Sequence, residues 1–192
     1  MTAEGSGQIA LEEVRNRVGR KRVIKLVMGA EIQAEPSFVW AALSDPRQIA
    51  HWRPGVVAAR TPDASYPTAG RRFRWMCRLH ELPVELIETP IHVEPPSRLE
   101  SDVALGLFHF SQTFTLTRSA ENRRGTRLVM HVATDNQMPL VGGCLDRFAV
   151  RRFATDLAST YLQAIRDWCE RGEATPRPLP TLLRSVASSA QL

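Results

Sequence analysis

The sequence has 192 residues, of which 43% are hydrophobic and 23% are charged. This length and composition are typical of one globular domain with a full core, and no apolar run reaches the roughly 18 residues that a membrane-spanning helix needs. The net charge of +5 raises the question of a nucleic acid partner, but no recognition helix or stacking motif accompanies it, so nucleic acid binding is not expected.

Both ends of the chain differ in composition from the middle. Residues 1–22 have no apolar segment typical of a secretion signal, which favours a cytoplasmic protein. We expect residues 1–22 to form a flexible basic extension, residues 23–171 to form the domain, and residues 172–192, rich in Pro and Ser, to form a tail. The basic residues of the N-terminal cluster have no acidic residue among them: Arg15, Arg17, Arg20, Lys21, Arg22 and Lys25.

The cysteines and histidines do not suggest a metal site. Cys77, Cys144 and Cys169 are few and far apart, so neither a disulfide framework nor a CxxC site is indicated. The five histidines show no HxxH or HExxH spacing. No phosphate-binding loop or nucleophile elbow is present either, and the sequence predicts no metal and no cofactor.

The first part of the domain predicts a strand followed by a bent pair of helices. Residues 23–34 are β-branched and apolar, which favours a strand. Pro36 suits the first turn of a helix, and Asp45 followed by Pro46 ends that helix and caps a second one. Pro54 and Gly55 then turn the chain into another strand.

The remaining sequence predicts more strands and one long helix. Strands are expected over residues 56–60, 69–79, 83–94, 98–105, 107–117 and 126–135, which together with the first strand suggests an antiparallel meander. Apolar residues at helical spacing predict a helix that starts after Gly142-Gly143 and ends at Arg171, with Gly172 as its C-cap. The members of this apolar stripe are Leu145, Ala149, Phe153, Leu157, Tyr161, Ile165 and Trp168.

Several short motifs resemble those of the START-like superfamily, also called SRPBCC, in its polyketide cyclase/dehydrase branch. They are Ile32-Gln33-Ala34-Glu35-Pro36, Val39-Trp40, Leu43-Ser44-Asp45-Pro46, Trp52-Arg53-Pro54-Gly55-Val56 and Gly125-Thr126. The resemblance spans roughly residues 23–171. It implies an α+β helix-grip fold, in which a curved seven-stranded antiparallel sheet surrounds the long C-terminal helix and two small helices lie between strands 1 and 2.

The same resemblance implies an internal cavity for a hydrophobic ligand. Small-molecule cavities are typically about 300–1,000 Å³ in volume, and walls without charge favour a polyketide-like or aromatic molecule. Two hypotheses follow. One is an enzyme that promotes cyclisation or dehydration, with an acyl-carrier-protein-bound substrate as one option; the other is a non-catalytic carrier or sensor. The enzyme is slightly favoured, and the oligomeric state is left open.

The candidate site residues come from the expected inward faces and from the resemblance. The catalytic candidates are Arg53, Glu88, His92 and Tyr161, and the ligand-binding candidates are Trp52, Phe73, Trp75, Cys77, Phe108, Phe110, Gln112, Met130, Phe153 and Leu157. Glu88 and His92 could relay a proton if Pro90 leaves them on one strand face, but a surface pair is the alternative. Gln112, a lone amide on an apolar face, could equally be a ligand contact or a structural hydrogen-bonded residue.

Overall fold

A computed structural model describes residues 23–59, 65–79, 82–105, 108–122, 124–134 and 144–172 of the chain. The predicted extension, residues 1–22, and all but the first residue of the predicted tail lie outside these ranges. Within the part of the chain that the structure describes, no helix is both long and apolar enough to cross a membrane.

Ten elements follow one another along the described chain. Strand β1 (Ile24–Ile32) is followed by helices α1 (Pro36–Ser44) and α2 (Pro46–Trp52), and the last described element is the long helix α3 (Cys144–Arg171). Between α2 and α3 lie the strands β2 (Val56–Ala59), β3 (Phe73–Leu79), β4 (Leu82–Glu94), β5 (Arg98–Leu105), β6 (Phe108–Arg118) and β7 (Thr126–Thr134).

The strands form one open antiparallel sheet in the order β1-β7-β6-β5-β4-β3-β2. Consecutive strands from β2 to β7 are neighbours in the sheet. Strand β1 lies at the other edge and pairs with β7. The fold prediction of seven antiparallel strands, a C-terminal helix and two small helices after the first strand is confirmed. One strand starts later than expected, because Gly70 adopts a left-handed φ of 77° in a turn that precedes β3.

The bent pair of helices forms as the sequence predicts. Pro36 and Pro46 each occupy the first turn of a helix, where a missing N–H removes no helical hydrogen bond. The Asp45 carboxylate accepts a hydrogen bond from the Arg47 N–H at 2.9 Å, which caps α2. The Trp52 indole N–H donates to the Ala42 carbonyl at 2.7 Å in the interior, so α2 is fastened to α1 at its far end.

The core lies between one face of the sheet and the three helices. Alternate residues of β5, β6 and β7 are buried, as expected for strands with one face against a core. Helix α3 packs against β1 and β7 and contacts both small helices. It ends where the sequence predicts: Gly172 has a φ of 71°, and its N–H donates to the Trp168 carbonyl at 2.9 Å, which is the capping arrangement that glycine allows.

Candidate functional site

A carboxylate lies at the centre of the apolar core. Glu88, on the inward face of β4, is 0% exposed. Its Oε2 accepts hydrogen bonds from Arg53 Nη1 at 2.6 Å and from the Trp75 indole at 3.1 Å, and its Oε1 accepts one from Gln112 Nε2 at 2.8 Å. A buried charge is tolerated only when it is paired and hydrogen-bonded, and Glu88 meets both conditions.

Arg53 connects the bent helices to the rest of this cluster. It follows directly after α2 as the C-cap residue, and only 4% of it is exposed. Besides its ion pair with Glu88, its Nε–H donates to the Tyr161 hydroxyl of α3 at 3.1 Å. The guanidinium carbon also lies 5.8 Å from the centre of the Trp75 ring and 5.3 Å from that of Tyr161, distances at which an aromatic face attracts a cation.

Two further aromatic residues pack against the rings that contact the ion pair. Tyr66, in the segment between β2 and β3, is buried and packs edge-on against Phe73 and Trp75, with ring centres 4.8 Å and 5.3 Å away. The Trp52 ring meets that of Tyr161 edge-on at 5.9 Å. We use "Arg53–Glu88 cluster" below for Arg53, Glu88, Tyr66, Trp75, Gln112 and Tyr161.

The protonation states of the cluster follow from burial and from the ion pair. Burial alone would lower the pKa of Arg53, but the combined effects of Glu88, Tyr161 and Tyr66 outweigh it, and the pKa is raised well above its usual range. Burial raises the pKa of the Tyr66 phenol, and the Glu88 charge adds to the rise. Burial also raises the pKa of Tyr161, with Arg53 partly offsetting the rise. At neutral pH, therefore, Arg53 is a cation and both phenols keep their protons.

Some polar atoms at this site have no hydrogen-bond partner among the described residues. Arg53 Nη2, Gln112 Oε1 and Ser101 Oγ are buried in this way. The Tyr161 oxygen accepts from Arg53, and no described residue accepts its proton. An unpaired buried polar group costs about 1–3 kcal/mol, so such a concentration of unused donors and acceptors in one core is a functional signal.

The structure brings together most of the residues predicted to be catalytic. Arg53, Glu88 and Tyr161 form one connected set of hydrogen bonds, although they come from the end of α2, from β4 and from α3. For Gln112, predicted to be either structural or ligand-contacting, the structure shows a hydrogen bond on one side of the amide, and ligand contact stays a prediction. The amide nitrogen of Gln112 is bonded to Glu88, while its oxygen is unpartnered among the described residues.

The structure separates His92 from this set. The ladder between β4 and β5 changes register between Pro90 and His92, because proline cannot donate its ladder hydrogen bond and favours an irregularity there. Glu88 therefore points inward, whereas the His92 side chain is 54% exposed and lies 3.6 Å from the Glu94 carboxylate. The geometry supports neither a proton relay between Glu88 and His92 nor a surface pair of these two residues, because Glu88 is buried and His92 is exposed beside Glu94.

The predicted ligand-binding residues all lie in the interior. Each is at most 6% exposed: Trp52, Phe73, Trp75, Cys77, Phe108, Phe110, Gln112, Met130, Phe153 and Leu157. Burial raises the pKa of the Cys77 thiol to about 11, with smaller and opposite effects from Arg53 and Glu88. Cys77 is thus a protonated, apolar wall residue at neutral pH rather than a thiolate nucleophile.

Two residues of the site were missed from the sequence. Tyr66 lies in an irregular segment followed by Pro67, where no strand or helix period assigns an inward direction. Ser101, by contrast, had a signal: it alternates with Leu99, Val103 and Leu105 along β5 and so shares their inward face. Among the described residues, no group of three or more histidine, cysteine, aspartate and glutamate side chains could hold a metal ion.

The family model described as polyketide cyclase/dehydrase and lipid transport matches residues 23–167. This match covers well over half of the chain. The chain belongs to this family. The resemblance noted in the sequence is thereby confirmed, and both the family and the START-like fold are associated with binding of hydrophobic ligands. No curated protein matches this chain significantly.

Solved structures with the same fold are distant in sequence. A START superfamily protein from Mycobacterium smegmatis is 13% identical, with a TM-score of 0.60 over 76% of this chain and 96% of its own. A Rhodobacter sphaeroides protein is 21% identical, with a TM-score of 0.58 over 84% of this chain and 93% of its own. DynU16, from the dynemicin biosynthetic locus, is 20% identical, with a TM-score of 0.54 over 80% of this chain and 49% of its own.

Proposed function

We propose that this family member binds a hydrophobic small molecule between the sheet and α3 and holds a carbonyl-type oxygen of that molecule with Arg53 and Tyr161. The observation that carries the proposal is that Nη2 of Arg53, a cation only 4% exposed, has no hydrogen-bond partner within the described ranges. Ligand sites typically combine apolar walls with a few placed polar groups. The aromatic and aliphatic residues around the Arg53–Glu88 cluster supply such walls.

The planar guanidinium of Arg53 places Nη2 and the Tyr161 hydroxyl so that both can bind the same ligand oxygen. Nη2 is fixed next to Nε, and Nε donates to the Tyr161 hydroxyl at 3.1 Å. A ligand oxygen that accepts from Nη2 therefore comes within reach of the Tyr161 proton, which no described residue accepts. Because the Arg53 and Glu88 charges balance one another, the site favours a neutral carbonyl or an enol over a fully ionised carboxylate.

A matched pair of probes tests this proposal. We expect 2-acetylnaphthalene to bind more tightly than 2-ethylnaphthalene, which has a similar shape but no carbonyl, in a titration followed by the fluorescence of the buried tryptophans. Tyr161→Phe should weaken ketone binding about tenfold and leave hydrocarbon binding unchanged, since one hydrogen bond to a polarised oxygen is lost. Tyr66→Phe is the control, because this variant also removes a buried hydroxyl near Glu88 but not one assigned to the ligand. Equal affinities for the two probes would refute the proposal.

Cyclisation or dehydration of a polyketide-like substrate is the second candidate function. It is favoured by the pairing of a permanent cation with a protonated phenol, since two fixed donors would stabilise the enolate that forms when a proton is removed beside a carbonyl. Glu88 is a poor choice of base in this arrangement, because Oε2 accepts two hydrogen bonds and Oε1 accepts one. The base would then be water or another substrate group.

A dehydration assay separates an enzyme from a carrier or sensor. The probe is 4-hydroxy-4-(2-naphthyl)butan-2-one: loss of a proton from the carbon beside the carbonyl and of the hydroxyl group gives water and a conjugated enone, which absorbs at longer wavelength. Enone formation that Arg53→Lys abolishes would support the enzyme, because lysine keeps the charge but lacks the second guanidinium nitrogen. Binding without conversion would support the carrier or sensor.

A further inference from the structure

The inward face of the sheet carries a second pair of unused polar atoms beside the Arg53–Glu88 cluster. Ser101 of β5 and Gln112 of β6 are paired directly across the ladder, and they are 0% and 1% exposed. Side chains opposite one another on adjacent antiparallel strands have Cβ atoms about 4.5–5.5 Å apart. Neither Ser101 Oγ nor Gln112 Oε1 has a hydrogen-bond partner among the described residues, although the two residues are neighbours.

The cross-strand neighbours explain why the pair is left unsatisfied. In the same row, Ser101 is paired on its other side with Pro90 and Gln112 with Val132. Proline and valine side chains offer no hydrogen-bonding group. The residues at both ends of this row therefore offer no hydrogen bond to Ser101 Oγ or Gln112 Oε1.

Glu88 fixes which end of the Gln112 amide faces the interior. A carboxylate only accepts hydrogen bonds, so the group that contacts Glu88 Oε1 at 2.8 Å must be the NH₂ of Gln112. The amide cannot flip without placing its oxygen against the carboxylate. Gln112 Oε1 is therefore held as an acceptor, and the Ser101 hydroxyl beside it can donate.

We propose that Ser101 and Gln112 form a second polar subsite that recognises a hydroxyl group of the ligand. A ligand hydroxyl donates to Gln112 Oε1 and accepts from Ser101 Oγ, which satisfies both buried atoms at once. The inference rests on the proposed function and narrows its ligand class to hydrophobic molecules with two oxygens in different roles. One is a carbonyl-type acceptor at Arg53 and Tyr161, and the other is a hydroxyl at Ser101 and Gln112.

The test uses the full-length protein and ring-hydroxylated probes. Affinities are measured for 2-acetylnaphthalene, for its monohydroxy positional isomers, and for the methyl ether of each isomer. At least one hydroxy isomer should bind about tenfold more tightly than both 2-acetylnaphthalene and its own methyl ether, because the ether cannot donate to Gln112.

Two serine variants locate the effect in the fold. Ser101→Ala should reduce the hydroxyl advantage several-fold and leave the affinity for 2-acetylnaphthalene unchanged. It should not reduce stability, because the hydroxyl that it removes has no partner among the described residues. Ser111→Ala is the matched control, since Ser111 adjoins Gln112 on the same strand but points to the opposite face, 3.5 Å from the Ala133 carbonyl.

The outcomes distinguish this subsite from the proposed function. If 2-acetylnaphthalene binds but no hydroxy isomer binds more tightly than it does, the hydroxyl subsite is overturned and the carbonyl site stands. The same conclusion follows if Ser101→Ala keeps the higher affinity for the hydroxy isomer. If no acetylnaphthalene binds at all, the proposed function fails and the subsite fails with it. A hydroxyl gain that disappears in Ser101→Ala and persists in Ser111→Ala supports the subsite.

Discussion

The ion pair at the centre of the site should control the stability of the whole domain. In Glu88→Gln the carboxylate is replaced by an amide of almost the same size, and the Arg53 cation stays buried without a counter-charge. Removal of one partner of a buried pair costs about 3–5 kcal/mol. The variant also places an NH₂ group where Glu88 now accepts hydrogen bonds from Arg53, Trp75 and Gln112, so two donors must face one another.

The assay is urea unfolding, followed by circular dichroism and tryptophan fluorescence. The free energy of unfolding of Glu88→Gln should fall by about 3–5 kcal/mol, and its melting temperature should fall by about 6–20 °C, given 2–4 °C per kcal/mol for a chain of this size. Glu100→Gln is the matched control: its carboxylate pairs with Arg98 at 2.7 Å on the exposed side of β5, and the loss should be at most about 1 kcal/mol.

A second variant isolates the charge effect from the loss of packing. Arg53→Met removes the cation and leaves an apolar side chain of similar length. Combined with Glu88→Gln, it should be less destabilising than the sum of the two single changes, because no unpaired charge stays buried. If Glu88→Gln unfolds within about 1 kcal/mol of the wild type, or if the two single effects simply add, the interpretation of this pair as a coupled buried charge is refuted.

Three further outcomes follow from the same cluster. Trp75→Phe should lower the free energy of unfolding by about 1.5–3 kcal/mol in urea titrations, because the indole donor to Glu88 is lost. In Tyr161→Phe, the free energy of unfolding should fall less steeply with rising pH above about 10 than in the wild type, since the folded state holds the phenol proton more tightly than the unfolded state does. An unchanged pH dependence would contradict the raised pKa of Tyr161. In Cys77→Ala, the free energy of unfolding measured in urea should decrease less between pH 9 and pH 11 than in the wild type, because the folded thiol has a pKa of about 11.

The parts of the fold that the sequence predicts are those with local causes. Asp45 and Pro46 determine the bend between α1 and α2 by capping and by a fixed φ, and Gly172 ends α3 because it tolerates a left-handed backbone. Inward faces of strands follow from alternation, which is why Trp75 and Gln112 were correctly placed in the interior. Each of these features depends on residues only a few positions apart.

The candidate site depends on contacts between distant segments, and this limits what the sequence reveals. Arg53 and Tyr161 are 108 positions apart when they hydrogen-bond, and no local pattern predicts that an arginine after a helix turns inward. The register of β4 changes after Pro90, and alternation alone could not show on which side His92 would emerge. Tyr66 belongs to an irregular segment, so its direction is set by tertiary packing against Phe73 and Trp75.

The location of Arg53 gives the ion pair a structural role as well as a role in the proposed function. Arg53 ends the bent helices, Glu88 belongs to the middle of the sheet, and Tyr161 belongs to α3, so one guanidinium connects all three parts of the core. An apolar core could hold these parts together with similar stability, since a buried ion pair is often no better than well-packed hydrophobic residues. The use of a charged group whose Nη2 is left unpartnered among the described residues is therefore better explained by a ligand than by folding alone.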